Sequence, residues 1–275
     1  MILVSIICNT FNHEKYIRDA LESFINQKTD FEYEVLIHDD ASTDKTPEII
    51  REYALRYPDL IKPIFEEENQ YSKGISINAI YQYPRVRGKY IAVCEGDDYW
   101  IDMNKLQRQV AGLEKQPQID ICAHAAYVID AKTKERISTI SPRETEIIIS
   151  PEDVISGKGN FVATNSLLYR TALIDRVPPF RKQLNLDYTL QIHGSLRGGM
   201  LYLPDVMSVY RKDVPNSWSD RMKHNRIKRR DFHVRLYKMF KQLNMDTDRK
   251  YKSVIRKMRS IEIGKIILLT MGLEK

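Results

Sequence analysis

The chain has 275 residues, 43% of them hydrophobic and 29% charged, which is enough for one large α/β domain, or a domain with an appendage, without covalent staples. Its three cysteines, Cys8, Cys94 and Cys122, sit inside apolar runs and form no CxxC pair, which disfavours disulfides and zinc and points to a reducing, cytosolic setting. The net charge of +6 is uneven: residues 220–275 hold 17 Lys/Arg against 6 Asp/Glu, whereas residues 1–219 hold 26 against 31, so an acidic body carries a basic tail.

Ile2 to Cys8 is a continuous apolar run of strand length. Asn12 is the expected N-cap of a helix in which Tyr16, Ile17, Ala20, Leu21, Phe24 and Ile25 recur at helical spacing. A second strand, Tyr33 to Ile37, leads to Asp39-Asp40 and a turn at Ser42-Thr43-Asp44. Thr46-Pro47 then reads as an N-cap with proline at the first helical position. A strand at 61–65, a helix near 75–83 and a strand at 90–94 continue the alternation, which argues for a parallel sheet wound in βαβ units.

A helix over about 104–116 is followed by strands at 119–129 and 147–150, with a hairpin around 130–134. Strand-like segments at 166–169 and 201–210 enclose a helix over about 185–197, a mixed-sheet continuation of the same domain. No apolar run suits a secretion signal or a bilayer span. The expected organisation is a domain over 1–218 and a basic helical extension over 219–275. Helices at 221–243 and 250–269 would either lie on an anionic membrane surface or pack their apolar faces on the body. The confinement of positive charge to this segment favours the membrane, and nucleic acid is not expected as a partner.

The run Glu95-Gly96-Asp97-Asp98 closes the strand at 90–94 with three carboxylates. Spacing alone admits two readings, a polar exit from a strand or a site for a hard divalent cation such as Mg²⁺ or Mn²⁺ bridging to a diphosphate. In parallel sheets ligands bind beyond the carboxyl ends of the strands. Asn9-Thr10-Phe11-Asn12, Asp39-Asp40-Ala41-Ser42 and Glu95-Gly96-Asp97-Asp98 are all such loops, so the topology gathers them on one rim and favours the cation. His38, His124 and His193 are isolated along the chain and read as structural.

Over residues 2 to 213 these motifs, in this order, resemble the family 2 inverting glycosyltransferases, which have a GT-A fold: Rossmann-like, with a mostly parallel central sheet and flanking helices. Val4 to Asn12 is similar to the family's opening strand and loop, and Val35 to Asp44 to its Asp-Asp-Gly/Ala-Ser-Thr-Asp signature. Asn69, Gly74 and Asn78 match a looser pattern, and Gly88 to Val93 followed by Glu95-Gly96-Asp97-Asp98 resembles the Asp-x-Asp-Asp metal motif. The resemblance implies that Asn9 and Phe11 line a uracil pocket, that Asp40 accepts from the base, and that Glu95, where Asp is usual, and Gly96 meet the donor. It implies that Asp97 holds Mn²⁺ or Mg²⁺ with Asp98 in support, and that Asp187, lacking the customary preceding Glu, is the catalytic base; capping its helix is the alternative role. Arg211 is implied as a diphosphate clamp or a structural ion pair, Asp213, where His is common, as a further metal ligand or lid residue, and Trp100, Thr164 and Asn165 as acceptor-side residues.

The implied reaction moves a hexosyl or N-acetylhexosaminyl group from a UDP-sugar to a saccharide or lipid-linked glycan acceptor. Its expected place is bacterial surface polysaccharide synthesis, such as capsule or O-antigen, on the cytoplasmic face of the membrane. Nucleotidyl transfer on a related fold would want a glycine-rich basic loop after the first strand, and none is present. A non-catalytic nucleotide- or glycan-binding module would keep Asp40 but has no need of Asp187.

Overall fold

A computed structural model of the chain describes residues 1–157, 161–215, 217, 222 and 225–273. Strands β1 (Ile2–Thr10), β2 (Glu32–Asp39), β3 (Ile61–Phe65) and β4 (Tyr90–Val93) form the parallel half of one ten-stranded sheet, in the order β3-β2-β1-β4. The sheet continues through β9 (Leu168–Arg170), β6 (Ile121–Asp130), β10 (Met200–Lys212) and β5 (Tyr99–Trp100). Since β9 runs antiparallel to both β4 and β6, and β10 runs parallel to β6, the strands β1, β2, β4, β6 and β10 all end on the same side. Two outer strands, β7 (Arg136–Ile140) on β6 and β8 (Ile147–Ile149) on β10, complete the mixed half.

Side chains alternate across a strand, and both faces of this sheet are covered, which is why β1 reads as a continuous apolar run. Val4, Ile6 and Cys8 face helices α1 (Ile17–Ile25), α2 (Thr46–Arg56) and α3 (Lys105–Glu114). Ile7, Leu36, Ile91 and Val93 face the opposite layer, built from α4 (Pro151–Gly157), α7 (Asp187–Ser195) and two long C-terminal helices, α8 (Arg226–Asp246) and α9 (Lys252–Met271). The short α5 (Ala172–Asp175) and α6 (Pro179–Gln183) lead into α7.

The expected elements are present with local corrections. Helix α1 begins at Ile17 without a side-chain cap, and Asn12 instead adopts a left-handed backbone (φ 57°). Helix α2 begins at Thr46, whose hydroxyl accepts from the His13 backbone N–H at 2.8 Å rather than capping its own helix. The segment near 75–83 is a π-turn at Asn78–Gln82 between short 3₁₀ turns, not a regular helix.

The tail packs on the body. Leu236, Met239, Phe240 and Leu243 of α8, with Ile255 and Met258 of α9, are buried in the same hydrophobic cluster as Ile7 and Ile91. The expected division at 218/219 lies outside the described residues. Among the described residues, no helix is long and apolar enough to cross a membrane.

Candidate active site

The loops after β1 and β2 are locked together by their own polar side chains. Asn12 accepts from the Thr43 N–H at 2.8 Å, the Asn12 N–H donates to the Ser42 hydroxyl at 2.8 Å, and Asp44 accepts from the backbone of Glu14 at 3.0 Å and of Thr46 at 2.9 Å. Asp39 is spent on Ser42, accepting from its hydroxyl at 2.6 Å and its N–H at 3.1 Å. Much of the Asp39 to Asp44 signature is therefore scaffolding that fixes the rim.

Asp40 is buried, and its carboxylate accepts from the backbone N–H groups of Gln70 at 2.7 Å and Tyr71 at 3.1 Å. Its first task is to dock the turn over 69–74, whose Gly74 takes the left-handed conformation (φ 78°) that closes it. Asn9 is held from behind, donating to Asn78 at 2.9 Å and accepting from the buried Gln82 at 3.1 Å. Phe11, on the loop beside them, is 38% exposed and presents an uncovered aromatic ring.

The loop after β4 lies against the loop after β1. The Gly96 N–H donates to the Asn9 carbonyl at 3.0 Å, and a Cβ on Gly96 would meet the Thr10 hydroxyl at 2.7 Å and His13 Nδ1 at 3.0 Å. Only glycine allows this approach. It brings His13 Nε2 to 3.8 Å from Asp97 Oδ2, a neighbour that the sequence reading missed although His13 sits two residues beyond Phe11.

Of the three carboxylates in this loop, one is claimed by the protein. Asp98 is buried and accepts from Asn165 Nδ2 at 3.1 Å and from the Arg211 N–H at 2.8 Å; burial, with Asp97 next, pushes its carboxyl well above the usual range. Glu95 and Asp97 accept no hydrogen bond from the described residues. Glu95 is solvent-accessible yet closely surrounded by protein, and that desolvation, followed by the charges of Asp97 and Asp187, raises its carboxyl. Two unclaimed carboxylates two residues apart, with the charge of Asp97 raising the proton affinity of Glu95, are a donor set suited to a hard cation. No preassembled group of three metal-ligating side chains occurs among the described residues.

Asp187 opens α7 and is also solvent-accessible within a dense surrounding. Desolvation raises its carboxyl, opposed by a hydrogen bond that Thr164 Oγ1 donates at 2.7 Å and by the charge of Arg181. The cap of this helix is not Asp187: the Leu186 N–H donates to Thr189 Oγ1 at 3.1 Å. The carboxylate is thus free of the capping role that was its alternative.

Three expected site residues lie elsewhere. Trp100 is 4% exposed, packed edge-on against Phe24 (centroids 5.0 Å apart) with the Lys105 amine 4.0 Å from its ring centroid, so it belongs to the core and not the acceptor side. Asn165 is fully buried: besides Asp98 its amide donates to the Val209 carbonyl at 2.9 Å, and its oxygen accepts from Ser208 at 2.7 Å. It supports Asp98 and does not face an acceptor. The buried Arg211 guanidinium donates to the Asp97 carbonyl at 2.7 Å, pairs with Asp19 and lies over the rings of Tyr16 and Tyr99, which is the ion-pair alternative to a diphosphate clamp. Asp213, half-buried and left-handed (φ 61°), follows the end of β10. Thr164 remains partly exposed beside Asp187.

A parallel-to-mixed sheet with a carboxylate-rich rim is the GT-A arrangement, and comparison with solved structures agrees. The chain superposes on the crystal structure of S. aureus TarS 1-349 in complex with UDP-GlcNAc with a TM-score of 0.69 at 18% identity, covering 96% of this chain and 72% of that one. It also superposes on the mannosyltransferase PcManGT of Pyrobaculum calidifontis, in complex with GDP-Man and Mn²⁺, with a TM-score of 0.63 at 17% identity, covering 98% and 73%. The Glycosyl transferase family 2 profile matches residues 5–214, so the chain belongs to that family. Among sequence relatives, the uncharacterized protein Rv1520 of Mycobacterium tuberculosis is 38% identical over 216 residues, 78% of this chain and 60% of its own length. TuaG of Bacillus subtilis, named for teichuronic acid biosynthesis, is 32% identical over 108 residues, 39% of this chain and 40% of its own. The chain thus spans less than two thirds of the length of these relatives.

Proposed function

We propose that this chain is an inverting, divalent-cation-dependent glycosyltransferase that moves a sugar from a UDP-sugar to a saccharide acceptor of a bacterial surface polysaccharide. The observation that carries the reading is the pairing of the unclaimed Glu95 and Asp97 carboxylates with a separate, electrostatically coupled Asp187 that does not cap its helix. Asp97 would hold Mn²⁺ or Mg²⁺, with Asp98 and the Arg211 contact to the Asp97 carbonyl fixing the loop. Glu95 reaches the ribose, Asn9 and Phe11 line the base, and Asp40 acts by docking the turn that walls the pocket. When bound, the ion offsets negative charge on the departing diphosphate. Asp187 removes the proton of the acceptor hydroxyl as its oxygen attacks the anomeric carbon from the side opposite the nucleotide, inverting that centre. The UDP-GlcNAc complex of TarS and the teichuronic acid naming of TuaG support the donor and acceptor classes. A thermal-shift screen of UDP-, GDP-, CMP- and dTDP-sugars with and without Mn²⁺ tests the reading: the UDP-sugars should stabilise most and only with the ion. A larger, ion-independent shift with another nucleotide would refute it.

The tail suggests a cytoplasmic-face membrane contact that is narrower than its charge implies, because most of its apolar surface is used on the body. Ile263, Ile267, Leu268 and Met271 remain exposed along the last turns of α9, and Arg226 at the start of α8 lies against Gly272. Removing the whole tail would strip residues from the core, so the informative variant is Ile267→Asp/Met271→Asp. It should leave thermal stability within about 1 kcal/mol, as for exposed sites, and lower binding to phosphatidylglycerol-containing liposomes several-fold. Unchanged liposome binding would remove the membrane role.

A further inference from the structure

We propose that the 3₁₀ turn Thr164–Ser166 is the joint that sets the acceptor-side carboxylate against the donor-side loop, with Thr164 the positioning residue that holds Asp187. The inference rests on Asp187 being the base. Consecutive residues of this turn reach two different carboxylates: Thr164 Oγ1 donates to Asp187 Oδ2 at 2.7 Å, and Asn165 Nδ2 donates to Asp98 Oδ2 at 3.1 Å. Two adjacent Cα atoms are about 3.8 Å apart, so the turn fixes the offset between the two carboxylates more tightly than contacts through separate elements would.

The turn is itself anchored from three directions. Trp100 Nε1 donates to the Asn165 carbonyl at 2.9 Å, Gln109 Nε2 donates to the Ser166 carbonyl at 2.8 Å, and Ser208 Oγ donates to the Asn165 side chain at 2.7 Å. Lys105, fully buried, donates to Gln109 Oε1 at 2.7 Å and thereby orients the Gln109 amide toward the turn. This network explains why α3 and β5 carry buried polar side chains, and it gives Trp100 and Asn165 a part in the site without exposing them. Buried networks of this kind specify one arrangement because each unsatisfied member is costly.

Among the described residues, the charged or titratable groups that act on Asp187 are Glu95 from the loop after β4, Arg181 from α6 and, more weakly, the phenol of Tyr169 on β9, and the hydroxyl of Thr164 is the one neutral donor. A hydrogen bond to a carboxylate favours its ionised form. Thr164 therefore both orients the base and favours its ionised form in a desolvated setting that opposes ionisation.

The test is a ¹³Cγ-aspartate NMR titration of the whole protein without substrate, with the Asp187 resonance assigned from Asp187→Asn. Thr164→Val should move the Asp187 midpoint up by about one pH unit, a tenfold change in proton affinity, and Thr164→Ser should restore it. Thr164→Ala removes the same hydroxyl and serves if the valine variant folds poorly. A midpoint within a few tenths of a unit of the parent in the valine or alanine variant overturns the inference, whatever Asp187 does in transfer. Sugar transfer by Asp187→Asn at the parental rate removes the base reading alone and leaves the hold of Thr164 on Asp187 standing.

Discussion

Asp187→Asn should retain the donor-dependent thermal shift and lose sugar transfer by about 10²–10⁴-fold, the usual contribution of a general base. The substitution is nearly isosteric, and the amide oxygen can still accept from Thr164, so packing at the start of α7 is kept while the proton acceptor is removed. The rate loss should fall on kcat, with the KM for the donor little changed, because Asp187 acts on the acceptor hydroxyl and not on the nucleotide. Because burial raises the Asp187 carboxyl, parental activity should fall on acidification at a pH above the ordinary aspartate range. Steady-state release of UDP across a pH series measures both effects. Transfer by Asp187→Asn within tenfold of the parent would show that another group takes the proton.

Asp97→Ala should abolish the Mn²⁺-dependent part of donor binding, with a loss of affinity on the order of a hundredfold. Removing an outer partner of a metal ligand commonly costs 10–100-fold, and here the ligand itself is lost. The substitution also has a distinctive effect on the protein without ligands. Glu95 and Asp98 hold protons more tightly in the folded chain than in the unfolded one, in part because of the Asp97 charge. Groups shifted in this direction make stability fall as pH rises from the unfolded carboxylate range toward the folded values, which for Glu95 is about 8. At neutral pH, Asp97→Ala should therefore unfold at the parental temperature or above it in the absence of ions, even as donor binding fails. A lowered melting temperature together with retained ion-dependent binding would contradict both parts.

The parallel half of the fold was legible because its strands are buried on both faces and so appear as unbroken apolar runs, each followed by a polar loop. The gathering of Asn9, Asp40 and Glu95 to Asp98 on one rim followed from that topology alone. What sequence did not convey was the division of labour within the loops. Nothing local distinguishes Asp39, spent on Ser42, from Asp40, spent on the turn at 69–74, or either from Asp97, which accepts no hydrogen bond from the described residues. Ser42 is only three residues from Asp39, but the partners of Asp40 lie 30 and 31 residues away, beyond the reach of a local pattern. Trp100 and Asn165 were placed on the acceptor side because of their positions next to motif residues, but strand β5, only two residues long, exists through its pairing with β10 and turns Trp100 inward. Lys105, the first residue of α3, is fully enclosed, and desolvation brings its amine down to about 7. The tail's charge was visible in composition. The docking of its apolar face on the sheet was not, because packing on the body and lying on a membrane require the same amphipathic pattern.

The three cysteines acquire a practical meaning from their placement. All are buried and unpaired, and burial raises each thiol, Cys122 to about 12, so none supplies much reactive thiolate at neutral pH. Cys8 immediately precedes Asn9 and Cys94 immediately precedes Glu95, so these two thiols lie directly beneath the loops that form the rim. The native chain should accordingly react only slowly with alkylating reagents, which a timed iodoacetamide reaction measures. A cysteine introduced at an exposed position such as Phe11 can be labelled with little background, while slow modification of Cys8 and Cys94 becomes a clock for how often the floor of the cleft comes apart.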